Sequence, residues 1–357
     1  MSGSSVAIYG ASGYIGGLTA RIAVGSGLRP VLAGRDSARL RALGAELDLP
    51  VRTAGLDRPA HLDALLDGVG AVLNAAGPFA ATMPPLLAAA LRTRTHYLDL
   101  SGEAVEFEAV RRRDEDLRRA GVMAMPGAGF GVVPTDAVAV HLARRLPGAV
   151  ALELSFATRG GISRGTASTM LAGLPTVGLR RRAGHLVPAR AGAERRQVPD
   201  GAGGRITVVT NPWRADLVSA AVSTGVATID TFTALPAPVR LLAALGPRAP
   251  WLFTSAVSRR LQATLLQRLP AGPSEADLTA GRTVVHGRAL AGDGTTAEAL
   301  LTGPDAYLVT AYAAAELLAR TGAGTAEPGY RTPAGVHGPE LALSTPGTEL
   351  RDLGGSR

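Results

Sequence analysis

The sequence predicts an α/β protein, with an amino-terminal doubly wound parallel sheet followed by a second, mixed α+β domain. Three observations carry that reading. A short apolar run, Val6-Ala7-Ile8-Tyr9, meets the glycine cluster Gly10-Ala11-Ser12-Gly13-Tyr14-Ile15-Gly16-Gly17 and then turns helical. Strand-like and helix-like segments then alternate until six strands have been laid down by Met125, the pattern of parallel strands with right-handed crossovers. Beyond Pro126 longer strands appear. A chain of 357 residues, 46% hydrophobic and 18% charged, has room for two such domains with cores of their own.

Composition removes several chemistries. All 37 basic residues are arginine, so Schiff-base, pyridoxal-lysine and P-loop lysine chemistry is excluded. With no cysteine there is no disulfide, thiolate nucleophile or thiolate-bound zinc, and no metal site is expected. The formal net charge of +8 favours anionic small molecules or acidic carriers. No signal peptide or run of about 20 apolar residues is visible, so a cytoplasmic protein without a membrane partner is expected.

In the opening motif each glycine has a task. Gly10 allows the tight turn out of the strand, Gly13 the approach of a pyrophosphate, and Gly16 the packing of helix on strand. This GxxGxxG spacing makes Gly10, Ser12, Gly13, Tyr14 and Ile15 candidates for holding phosphates at a helix start, although glycine spacing alone fits a plain turn equally well. The second strand, residues 29–33, leads to Gly34-Arg35, where NAD-binding sheets carry an acidic residue. An arginine there suits a 2′-phosphate, so the expected cofactor is NADP (NADPH), with Asp36 and Ser37 capping the next helix. A solvated surface arginine is the competing reading.

Residues 71–79 read as a buried strand running into the small-residue turn Ala75-Ala76-Gly77-Pro78, placed beside a cofactor's ribose and nicotinamide. The strand at 96–100 follows, and alternation puts Tyr97, Asp99 and Ser101 on one face. These three are the catalytic candidates, as proton donors or substrate-orienting groups; helix capping by Asp99 and Ser101, with Glu103, is the structural alternative. The run at 104–120 mixes arginine with acid and reads as a solvated helix, not a nucleic-acid site.

The expected boundaries are 1–130 for the nucleotide domain, 131–304 for the substrate domain, 305–340 for a helix and segment returning to the first domain, and 341–357 for a tail. The second domain reads as an antiparallel sheet with helices on one face, a mobile arginine-rich loop at 183–204 and a helical excursion at 237–269. That excursion, with Trp251, Phe253, Leu261, Leu265 and Leu266, reads foremost as core packing, and otherwise as a lid, a dimer face or an interfacial helix. Arg164 and Thr166 stand at a helix entrance that would suit a carboxylate or phosphate, or as ordinary surface residues.

Taken in order, Gly10 to Gly17, Leu32-Ala33-Gly34-Arg35, Asn74-Ala75-Ala76-Gly77-Pro78-Phe79, His96 to Glu103, Pro126-Gly127-Ala128-Gly129-Phe130, Ser163-Arg164-Gly165-Thr166 and Thr332-Pro333-Ala334-Gly335 resemble the saccharopine dehydrogenase-like oxidoreductases. That group includes saccharopine reductases and trans-acting enoyl reductases. The resemblance implies a Rossmann domain for NADP and a reductase acting on a small-molecule or carrier-bound substrate. The chain departs from the family pattern at Gly131-Val132, where Asp-Ser is usual, and at Ala75, where cysteine is frequent. Reduction of an activated C=C bond, of enoyl thioester or enone type in bacterial lipid or polyketide-like biosynthesis, is expected ahead of imine reduction. A non-catalytic NADP-binding sensor or scaffold is the reading from another class, and a homodimer would form through the second domain.

Overall fold

The computed structural model describes residues 5–173, 176–235, 249 and 251–354. The chain opens with β1 (Ser5–Tyr9), α1 (Tyr14–Gly25), β2 (Val31–Gly34), α2 (Ser37–Leu47), β3 (Val51–Thr53), α3 (Pro59–Leu66) and β4 (Val69–Asn74). It continues through α4 (Phe79–Thr93), β5 (His96–Asp99), α5 (Ala104–Arg111), α6 (Asp114–Ala120) and β6 (Met123–Met125). Next come α7 (Val133–Arg145), β7 (Ala149–Arg159), α8 (Arg164–Gly173), β8 (Gly178–Arg182), β9 (His185–Ala189), β10 (Arg195–Pro199) and β11 (Arg205–Thr210). After these stand α9 (Asp216–Thr224), β12 (Thr228–Thr233), α10 (Trp251–Thr254), α11 (Ala256–Arg268), α12 (Glu275–Ala280), β13 (Arg282–Ala291) and β14 (Thr296–Gly303). The last elements are α13 (Ala306–Arg320), β15 (Gly329–Tyr330), α14 (Pro333–His337) and β16 (Glu349–Leu353).

Contacts divide the chain into two compact units, Met1–Val133 with Tyr307–Val336, and Pro134–Ala306 with His337–Arg357. The first is a seven-stranded sheet ordered β15-β6-β5-β4-β1-β2-β3, and every pair in it is parallel. Its order reverses at β1, the position where doubly wound sheets open a crevice at the carboxyl ends of their strands. The central strands are buried on both faces, which explains their unbroken apolar runs. The predicted sheet of six gains β15 because Gly329 and Tyr330 pair with Met123 and Ala124. The predicted single helix at 104–120 is two helices, broken at residues 112–113.

The second unit is a mixed sheet with the path β10-β11-β12-β7-β13-β14-β16, with β8 paired to β12 and β9 to β8. It is not wholly antiparallel, since β7 and β12 run parallel. On one face β13 lies so close to α7 that a Cβ on Gly287 would press on Val138 and Leu142. Residues 183–204, expected as a loop, include β9 and β10. Their arginine richness misled because the charges are paired across strands: Arg180 and Arg182 reach Asp230 at 2.6 and 2.7 Å, while Arg196 reaches Glu153 at 3.0 Å and Glu194 at 2.8 Å. The expected tail instead contains β16, which pairs with β14 and is tied to α7 through His141 and Arg145, both on Asp352.

Part of the expected helical excursion, residues 236–248 and 250, lies outside the described residues. The described part is not core: Trp251, Leu261 and Leu265 are exposed, and Phe253 and Leu266 only partly covered. Among the described residues no helix is long and apolar enough to cross a membrane.

Close packing at the first glycines gives a stability contrast. A Cβ on Gly16 would collide with the Gly10 carbonyl oxygen, whereas one on Gly25 at the end of the same helix meets nothing within 4 Å. Gly16→Ala is expected to destabilise by about 1–3 kcal/mol. Gly25→Ala should be neutral or stabilising by up to about 1 kcal/mol. Thermal unfolding of the two variants checks this.

Candidate active site

The glycine loop has the geometry its spacing implies. Gly10 adopts φ +88°, and a Cβ there would come within 2.8 Å of the Ala76 amide nitrogen, so the β1 and β4 turns can meet only over a glycine. Gly13 is the N-cap of α1, exposed and without a capping side chain, and the first turn of α1 carries no acidic residue. Helix geometry leaves the Ile15 and Gly16 N–H groups without intrahelical acceptors, which makes this end an anion cradle. Tyr14, at the mouth of the loop, is braced edge-on by Tyr307 of α13 with ring centroids 5.5 Å apart.

At the end of β2, Gly34 is buried and Arg35 exposed. Asp36 is the N-cap of α2: it accepts a hydrogen bond from the Arg39 N–H at 3.1 Å and lies 3.5 Å from the Arg39 guanidinium. Arg35 forms no ion pair or hydrogen bond among the described residues; its charge pulls down the Tyr9 phenol, which burial pushes upward. A free guanidinium beside an anion cradle fits the adenosine 2′-phosphate of NADP. The neighbouring carboxylate is engaged elsewhere.

The Ala75 to Pro78 turn is pinned from several sides. The Ala75 N–H donates to the Tyr9 carbonyl at 2.8 Å, the Ala76 N–H to Asn74 Oδ1 at 3.1 Å, and the Thr82 hydroxyl to the Ala76 carbonyl at 2.6 Å. From there a buried relay crosses the sheet. Asn74 Nδ2 donates to Thr82 Oγ1 at 3.0 Å and to the Tyr97 hydroxyl at 3.2 Å, and that hydroxyl donates to Asp99 Oδ2 at 3.0 Å. Asp99 Oδ1 accepts the Ser101 hydroxyl at 2.6 Å, the Ser101 N–H at 2.9 Å and the Gly127 N–H at 3.1 Å. Three turns, after β4, β5 and β6, are thereby held to one another.

Tyr97, Asp99 and Ser101 are brought together as alternation predicts, and all three are fully buried. Asp99 does not cap α5; that N-cap is Glu103, which has no side-chain cap bond. Burial raises the Asp99 carboxyl, opposed by its hydrogen bonds, and burial with the Asp99 charge pushes the Tyr97 phenol well above its usual range. Sequence reasoning missed Thr82 and Gly127 as members of the network, because the turns that carry them meet only in the folded sheet. In the second unit the Arg164 guanidinium donates to the Gln267 and Leu269 carbonyls at 3.3 and 2.8 Å, and Thr166 Oγ1 lies 3.1 Å from the Ser163 hydroxyl, which caps the Thr166 N–H. Arg164 thus closes the end of α11.

Glu106, in the first turn of α5, was likewise not anticipated. It is 9% exposed, its Oε2 has no hydrogen-bond partner, and burial together with the charges of Glu103 and Asp99 pushes its carboxyl up to about 7. The folded protein therefore retains a proton that the unfolded chain loses near 4.5. Stability contributed by this group is full below that value and lost as pH rises through about 7. Glu106→Gln is expected to remove this decline, and denaturant unfolding of parent and variant from pH 4.5 to 8 measures it.

Comparison with known proteins places these features. Residues 6–125 match the saccharopine dehydrogenase NADP binding domain family. A trans-acting enoyl reductase of Mycobacterium leprae is 35% identical over 149 residues, 40% of this chain and 36% of that protein. One from Mycobacterium tuberculosis (strain ATCC 25618 / H37Rv) is 32% identical over 151 residues, 39% of this chain and 35% of that protein. The matched stretch thus spans little more than a third of each relative's length. Apo saccharopine dehydrogenase (L-Glu forming) from Saccharomyces cerevisiae superimposes with a TM-score of 0.66 at 14% identity, covering 99% of this chain and 100% of that one, which establishes a shared fold. Residues 6–125 thus match the NADP binding domain of saccharopine dehydrogenase, and the chain as a whole shares that enzyme's fold.

Proposed function

We propose that the chain is an NADPH-dependent reductase that delivers hydride to the activated C=C bond of an enoyl thioester. The observation that carries the cofactor half is the unpaired Arg35 guanidinium beside the α1 cradle, with Asp36 spent as a helix cap. The enoyl half draws on the relatives of this chain named trans-acting enoyl reductase. An arginine-only basic composition favours the same acceptors, because coenzyme A is anionic and acyl carriers are acidic.

When bound, NADPH supplies the hydride. The chain's own work is to hold the phosphates at the start of α1, to pair Arg35 with the 2′-phosphate, and to keep the Ala75 to Pro78 turn in place. Tyr97, Asp99 and Ser101 were expected as proton donors or substrate-orienting groups. Their complete burial and mutual hydrogen bonding support a positioning role, in which Asp99 fixes the turns that border the cofactor. A displaced turn costs rate through misorientation.

Three measurements test this reading. Arg35→Ala should weaken NADPH binding about ten- to a hundredfold, the worth of one or two charge-assisted hydrogen bonds, and leave NADH binding unchanged; equal affinity of the parent for both cofactors would remove the NADP assignment. Asp99→Asn and Tyr97→Phe should each lower kcat about tenfold while the pH profile keeps its shape. Loss of one limb of that profile in Asp99→Asn alone would make Asp99 the proton donor. NADPH consumption with a panel of enoyl thioesters and cyclic imines separates the acceptors: turnover of thioesters is expected, and turnover of imines alone, or NADPH binding without turnover, overturns the enoyl reading.

A further inference from the structure

The described residues expose an apolar and basic surface on the second unit that the reductase reading does not use. On α11, Val257, Leu261 and Leu265 recur every fourth residue and are 79%, 59% and 51% exposed, and Trp251 just ahead of them is 66% exposed. At 100° per residue these three apolar positions form a narrow stripe, with Arg268 in line with it at the helix end and Arg260 flanking it beside Val257, and both arginines are exposed as well. Neither arginine has an ion-pair partner among the described residues, whereas Arg21, Arg92 and Arg118 on other exposed helices do.

The sequence around this helix is charged in one sense only. Residues 231–274 hold five arginines and no aspartate or glutamate. The neighbouring helix α8, whose one charged residue is Arg164, packs on α11 and is fastened to its last carbonyls by that arginine. On α8, Met170 is also exposed. A face that covers core is apolar without charge, and a merely solvated face mixes signs, as α6 does with Asp114, Glu115 and Asp116 against Arg118 and Arg119. Aliphatic side chains and a tryptophan bordered only by arginine have the chemistry of an interfacial helix, whose apolar side enters the acyl boundary while its cations meet anionic headgroups.

We propose that α11, with Trp251 ahead of it, docks this protein onto anionic lipid surfaces. The exposed arginines supply the attraction and Val257, Leu261 and Leu265 the insertion. An acidic protein would satisfy the arginines but would leave three aliphatic side chains to be matched. A second copy of this chain would bring arginine against arginine.

The test is co-sedimentation of the whole chain with phosphatidylcholine vesicles, with and without phosphatidylglycerol. Binding to the phosphatidylglycerol vesicles, weakened by salt and reduced more than tenfold in Leu261→Glu/Leu265→Glu and in Arg260→Glu/Arg268→Glu, is the expected result. Both pairs are exposed, so melting temperature and NADPH binding should stay at parent values, and Val222→Glu, an exposed apolar position on α9, should bind as the parent does. Absence of vesicle binding, equal binding to neutral vesicles, or unaltered binding by both double variants overturns the proposal. So does a dimer in solution that Leu261→Glu/Leu265→Glu dissociates, which would assign the face to a second copy.

Discussion

The first unit depends on a single buried carboxylate. Asp99 sits at the end of β5 with no exposure and accepts four hydrogen bonds, one from Tyr97, two from Ser101 and one from Gly127. A buried charge of this kind is tolerated only when its lone pairs are filled, and filling them obliges the turns after β5 and β6 to stand where their donors reach it. Tyr97 extends the obligation to Asn74, and through Asn74 and Thr82 to the Ala76 carbonyl. The turn after β4 is thus positioned from the neighbouring strand by hydrogen bonds whose loss would leave buried polar groups unpaired.

The same economy governs the glycine loop. Gly10 turns through a positive φ and admits the Ala75-Ala76 backbone into the space of its absent side chain, and Gly16 lets α1 approach the Gly10 carbonyl. These requirements are local and steric, which is why spacing alone revealed them. The period-two placement of Tyr97, Asp99 and Ser101 was legible for the same reason. Their partners Thr82 and Gly127 lie 8 residues after Asn74 and 28 after Asp99, and no periodicity links residues that meet only once β4, β5 and β6 are side by side. Glu106 was hidden differently: an acid in a helix's first turn is ordinary, and only burial beside Glu103 and Asp99 makes it a proton store.

In the second unit the sequence misled through its charges. Arginine at 180, 182 and 196 suggested solvent, yet Asp230 on β12, Glu153 on β7 and Glu194 just ahead of β10 neutralise these cations and allow β8 and β10 to join a sheet. Arg196 also lies over the Phe232 ring, 5.0 Å from its centroid, covering apolar surface with a side chain that composition counts as polar. The opposite error arose at Trp251, Leu261 and Leu265, whose apolar character suggested core although nothing among the described residues covers them. In both cases the deciding fact was whether a side chain has a partner, which residue type does not encode.

Partnership also bears on the proposed cofactor. Arg35 and Asp36 are adjacent at the end of β2, and either could address a ribose, the arginine through a 2′-phosphate and the acid through the free hydroxyls. The choice is made by the helix that follows. The first N–H groups of α2 need acceptors, and Asp36 supplies one to Arg39 while its charge rests against the Arg39 guanidinium. Turning Asp36 toward a ribose would uncap α2, a loss of about 1 kcal/mol before any contact with NAD is made. Arg35 has no comparable engagement to give up among the described residues, so in the proposed complex its guanidinium would meet a 2′-phosphate without breaking an existing bond. In the proposed reading a helix cap, whose task is purely structural, thereby tilts the neighbouring nucleotide site toward NADP.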